Sequence, residues 1–231
     1  MVQTTKYEPT ENDWLSCVTP SELFVKFDLG GYGRRHKLFA FACVRRAYES
    51  TPIGGMRDRL DSLEAVFEGE RRPDGLLVKM ARKAHEVVRT PTMQEWLFSQ
   101  VVGRLEKLDG LKGTIDLCKS CSEVVVVGSD AAVMVELGFK ELAAQTDVLR
   151  DTFGSPFLKD PVGPFVNAGL HRLATAAYHE RNADGTIDAV CLSAIADALE
   201  EEGAARSILD DARAKRPRYR GYWLIDRITG R

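Results

Sequence analysis

The sequence is poor in the residues that covalent stapling and metal chemistry draw on. Its 231 residues include five cysteines, four histidines and three tryptophans. The cysteines (Cys17, Cys43, Cys118, Cys121 and Cys191) are odd in number and irregularly spaced. In a chain of this length that excludes a disulfide framework and points to reduced thiols in a cytoplasmic setting. No apolar run approaches the roughly 18 residues that a membrane-spanning helix requires, and the longest β-branched run is Val124–Val127. The polar start, Met1 to Glu8, has no apolar h-region, so neither a secretory leader nor a membrane partner is expected. An excess of charge is missing too. Lysine and arginine number 32 against 34 acidic residues, a net charge of −2, which excludes a histone-like nucleic-acid binder. With 44% hydrophobic and 29% charged residues, the chain is neither a disordered tail nor a low-complexity scaffold.

Helical periodicity dominates what is present. Thr19-Pro20-Ser21-Glu22 is a capping box with proline at the first helical position, so a short helix should follow and carry Leu23, Phe24 and Phe27. Between Arg34 and Ser50, Leu38, Phe41, Ala42, Val44 and Tyr48 recur at three- and four-residue steps, as an amphipathic helix requires. Met56, Leu60, Leu63 and Phe67 give a second stripe. Leu76 to Val88 reads as a helix, Thr90-Pro91 opens another, and Ser129-Asp130 can cap one of more than twenty residues ending near Phe153. Val124–Val127 has strand propensity but no partner of similar quality, and reads as a buried helix end or turn. Further helices are expected at Val166–Glu180, Ile187–Glu202, around Ile208 and at Tyr222–Ile228. The fold class is therefore all-α, an irregular multi-helix bundle of about ten helices. Asp160-Pro161-Val162-Gly163-Pro164 is the most linker-like stretch. It divides an N-terminal bundle, 1–158, from a smaller C-terminal helical subdomain, 165–231, or else is a crossing loop in one continuous domain.

Several motifs have a specific look. Lys37-Leu38-Phe39-Ala40-Phe41-Ala42-Cys43-Val44-Arg45-Arg46 comes early and Leu149-Arg150-Asp151-Thr152-Phe153-Gly154-Ser155-Pro156-Phe157 later. Ala196-Asp197-Ala198-Leu199-Glu200-Glu201 and Arg220-Gly221-Tyr222-Trp223-Leu224-Ile225-Asp226 follow near the end. Together they resemble a paralogous family of uncharacterised planctomycete proteins of the Gemmata type, with its LFACACCRR, LRDIFGNPF, LADALEEAG and RGCWVVDLLLG patterns. The resemblance covers both ends and implies an all-helical fold; it brings no activity. Where the family pattern has cysteines, this chain has Phe41, Val44 and Tyr222. That substitution fits cysteines acting as small core fillers rather than zinc ligands.

Chemical candidates are sparse. Cys118-Lys119-Ser120-Cys121 is a lone C-x-x-C, half of a zinc site or a redox pair, and more often structural. His171 and His179 share a face of one expected helix and could ligate a metal. Asp197 and Glu200–Glu202 read as a solvated acidic face. The region after Gly203 holds eight basic residues against three acids. Within it, Arg216, Arg218, Tyr219, Arg220 and Tyr222 interleave cations with rings, as a surface for single-stranded nucleic acid or an acidic peptide would. The alternative is a basic loop leading into a final helix whose Trp223 is core.

No complete nucleophile, metal or phosphate constellation is visible, and no cofactor is implied. The expected function is a non-enzymatic helical interaction module, binding another protein or itself. A nucleic-acid-associated protein using the basic aromatic segment is the alternative, and an enzyme or metalloprotein with a site assembled from distant helices is the third.

Overall fold

The computed structural model describes residues 8–29, 33–50, 56–68, 93–108, 110–127, 131–158 and 162–231. The expected helix at Leu76–Val88 lies outside them, as do Thr90-Pro91, Ser129-Asp130 and Asp160-Pro161. The described residues form 11 α-helices and no sheet. The all-α bundle expected from periodicity is what the chain adopts.

Two short helices open it. α1 (Glu11–Ser16) begins at a capping box between Thr10 and Asp13. α2 (Pro20–Phe27) begins at the box between Thr19 and Glu22, with proline in the first turn. α3 (Arg34–Ser50) is the central rod. From Leu38 to Arg45 every residue is buried, so this helix is surrounded rather than one-sided. α4 (Met56–Phe67), α5 (Met93–Glu106), α6 (Gly110–Val126) and α7 (Ala131–Phe153) pack around it, with α6 and α7 also against each other. The valine run is the last turn of α6, and Val124 is fully buried. Here tertiary burial overrides strand propensity.

Beyond α7, a 3-10 turn at Gly163–Phe165 leads into α8 (Ala168–His179) and α9 (Ala189–Glu201). α10 (Arg206–Arg213) and α11 (Trp223–Thr229) follow. Asn167 and Asp188 cap α8 and α9 through their side chains. α9 packs on α8 and α10, while α11 packs on α8 and reaches across to α7. Of two isolated antiparallel bridges, Arg181 with Ile187 closes the α8–α9 loop on itself and Thr186 with Tyr219 ties that loop to the segment before α11.

Two hydrophobic clusters result. The larger gathers Trp14, Phe24, Phe39, Phe41, Phe98 and their neighbours. The second gathers Tyr178, Ile195, Leu199, Leu224 and Ile225 among others. Tyr219 belongs to the first although the chain around it belongs to the second. Trp223, expected in the core, is only half-buried and lies on Gly154 at the edge between the clusters. No helix among the described residues is long and apolar enough to cross a membrane.

Gly221 fixes how closely the second part approaches α3. Its φ of 91° is left-handed, and a Cβ there would lie 2.9 Å from Leu38. Gly203 has a similar φ of 84° but faces open space. Gly203→Ala should therefore cost only backbone strain, about 1 kcal/mol. Gly221→Ala adds overpacking and should cost about 3 kcal/mol. Urea midpoints of the two variants test the difference, and equal losses would contradict this packing.

Candidate functional site

The cationic segment before α11 runs through the interior where the two clusters meet. Buried guanidinium groups require matched carboxylates, because the cost of leaving water is recovered only by close pairing and saturated hydrogen bonding. Arg218 has no exposed surface and pairs with Asp151, from the last turn of α7, and with Asp211, from α10. It also donates to the Asp211 carbonyl at 2.5 Å, and its guanidinium lies 4.5 Å from the centre of the Tyr222 ring. Arg216 reaches the same two carboxylates at 2.8 and 2.7 Å. The second oxygen of Asp211 accepts from the Tyr222 hydroxyl at 2.8 Å and the Trp223 indole at 3.1 Å. Burial acts to raise the Asp211 carboxyl, but Arg218 and the Tyr222 hydroxyl outweigh it and hold the group below its ordinary range. Asp151 is buried more deeply, which pushes its carboxyl up to about 6 against the pull of Arg218 and Arg216.

A second knot sits on the other side of α11. Arg34, opening α3, donates to Asp226 at 2.5 Å, to Glu68 at 3.0 Å and to the Tyr178 hydroxyl at 2.7 Å. The Tyr178 hydroxyl in turn donates to Glu68. Arg220 and Arg231 lie 4.6 and 4.1 Å from the centre of the Tyr178 ring, within cation–π range. A third knot joins Arg45 to Glu64 at 2.7 Å, and Glu64 to Arg181 at 2.6 Å. Burial works to raise Glu64, yet the two arginines hold it below the usual carboxylate value.

These knots settle where the expected partner-binding residues are. Arg218, Tyr219, Arg220 and Tyr222 are all buried, and only Arg216 keeps about a third of its side chain in solvent (34%). The segment offers its cations and rings to the protein's own carboxylates rather than to an external anion. The alternation of arginine with tyrosine fits both situations equally, which is why sequence alone leaves them open. The residues that sequence reasoning missed are the acids, Asp151, Asp211, Glu68 and Asp226. Only an arginine run needing buried counter-charges signals them.

The metal candidates are not assembled. Cys118 and Cys121 lie within α6, both buried, with the Cys118 sulfur 4.0 Å from that of Cys43. Burial raises the Cys43 and Cys121 thiols well above their ordinary value, which favours the protonated, non-ligating form. His171 and His179 are both exposed on α8. Eight residues of helix separate them by roughly 12 Å, too far to share one ion. Among the described residues no group of three or more metal-ligating side chains occurs.

Beside the first knot lies a cleft of about 230 Å³, lined by Trp14, Arg150, Asp151, Asp211, Arg216 and Trp223 among others. Its charges already face one another. Arg150 is spent on the carbonyls of Trp14, Leu15 and Cys17, clamping α1 onto α7.

The surface carries a different kind of feature at the start of α7. Val133, Met134, Val135 and Phe139 are exposed by 45, 37, 59 and 66%. In the same helix Gln145, Val148 and Leu149 are buried. The first ten residues of α7 hold only two charges, Glu136 and Lys140. Compared with known protein families, characterised proteins and solved structures, the chain matches none.

Two outcomes follow from the knots. Arg218→Ala, which leaves the buried Asp151 with only the partly exposed Arg216 as counter-charge, should cost about 3 kcal/mol. Arg206→Ala, removing an exposed pair with Asp210, should change stability by less than about 0.5 kcal/mol. Denaturant titration of both variants is the check. Glu64→Gln should show a pH signature. The depressed Glu64 stabilises the fold in full above its ordinary value of 4.5, and that contribution fades as pH falls through the lower folded value. The gap between wild type and Glu64→Gln should be wide at pH 7 and narrow progressively as pH falls below 4.5; a gap that is constant with pH would contradict the pairing.

Proposed function

We propose that the protein is a non-enzymatic helical interaction module, and that it works by presenting the amino-terminal half of α7 to another polypeptide. The exposed quartet Val133, Met134, Val135 and Phe139 carries this reading. A helix with apolar residues on most sides is stable when covered, and an exposed apolar patch marks an interaction surface. The matching partner is an apolar helical surface carrying charges that complement Glu136 and Lys140. The internal pairing of the arginine segment supports a protein partner over nucleic acid, since the cations that would meet phosphate are held by Asp151 and Asp211. Five free thiols support a reducing compartment for the module. The motif resemblance adds the proposal that the chain is one of the planctomycete paralogues; of the four stretches that carry it, Lys37–Arg46, Leu149–Phe157 and Arg220–Asp226 meet through Gly221 on Leu38 and Trp223 on Gly154.

The test is affinity capture of the tagged protein from its native host, with and without nuclease, beside the Phe139→Glu variant. A polypeptide that survives nuclease and is lost with Phe139→Glu is expected. Partners that vanish with nuclease, or that bind the variant equally, would overturn the reading.

A further inference from the structure

We infer that the polypeptide covering α7 is a second copy of this chain, crossing antiparallel about a twofold axis near residue 138. The inference rests on the reading of α7 as a docking helix and names its partner. Val135, Phe139 and Ala143 follow one another at four-residue steps and are all exposed, forming a single row on the outer side of α7. Glu136 and Lys140 stand in the adjoining row, with side chains 66 and 68% exposed, and pair with each other at 2.5 Å. The opposite side is committed to the body, where Glu141, Gln145 and Leu149 are buried and Gly138 faces Val126 of α6.

This charge pattern is self-complementary in one orientation only. A twofold axis near residue 138 carries each position to the one equally far on the other side. Glu136 of one copy then meets Lys140 of the other, twice, and the two Phe139 rings lie side by side near the axis. A parallel crossing would set Glu136 against Glu136 and Lys140 against Lys140. The existing Glu136–Lys140 pair thus becomes half of a four-membered alternating ring, and no further charge on Ala131–Lys140 opposes the contact. One helix crossing is a small interface, so affinity should be in the micromolar range, on the order of 10 µM.

Sedimentation velocity of the full chain at about 100 µM, well above that affinity, should show a dimer. Phe139→Glu should be monomeric. Glu136→Lys alone places lysine against lysine, Lys140→Glu alone places glutamate against glutamate, and each should weaken the dimer by about tenfold or more. Mixing these two single variants restores both attractive contacts, and the mixture should dimerise where neither component does. All three positions are exposed, and unchanged helical circular dichroism confirms that each variant folds. A monomeric wild type, or single charge variants that associate as the wild type does, would overturn the second copy as partner. If the wild type is monomeric but Phe139→Glu still loses the captured polypeptide, only this inference fails. If Phe139→Glu alters neither capture nor oligomeric state, the docking role of α7 fails with it.

Discussion

The burial of Arg218 is the constraint around which the rest of the molecule is arranged. A guanidinium without exposed surface must be met by carboxylates on fixed backbone, and the two that meet it come from elements 60 residues apart, Asp151 ending α7 and Asp211 on α10. Those two attachments set where α10 and the segment before α11 lie on the central bundle. Once they are set, Tyr219 enters the larger cluster, Gly221 passes under Leu38, and Trp223 comes to rest on Gly154. The Arg34 and Arg45 knots repeat the same logic at two further points of the seam. Contact between the two halves therefore combines directional, charge-assisted hydrogen bonds with the apolar seating of Tyr219, Gly221 and Trp223.

That distinction separates what was legible in the sequence from what was not. Helices announce themselves locally: the capping box at Thr19, the stripe from Met56 to Phe67 and the long helix ending at Phe153 all stand where periodicity and capping place them. The valine run could be assigned to a helix end because no second strand was in sight. Ion pairing across 67 or 192 residues has no local signature. Arg216, Arg218 and Arg220 look the same in sequence whether they face phosphate or a buried aspartate, and Asp151 looks like any helical acid. Trp223 was misjudged for the same reason. Its apolar neighbours suggested core, but its indole nitrogen serves Asp211, which holds the ring at the edge.

The division of labour extends to the surface. Polar chemistry is consumed inside the seam, where carboxylates and guanidinia neutralise one another. Apolar surface is left outside, on the first turns of α7, where a folded monomer would ordinarily place charge. The cleft beside Asp151 has the volume for a small ligand, and its arginines pair with Asp151, Asp211 and the carbonyls of α1. Under the reading proposed above, recognition by shape and apolar contact is the use made of that apolar surface.

The seating of Trp223 has an optical consequence. Its indole stacks on Gly154 and donates to a carboxylate that two arginines share, while Trp14 lies sealed in the larger cluster. Trp223 is therefore half-exposed beside ionic groups, whereas Trp14, on another wall of the same cleft, is only 2% exposed. Indole emission is sensitive to that difference. Loosening of the seam changes the surroundings of Trp223 directly, against the emission of Trp14 and Trp96, without any added label.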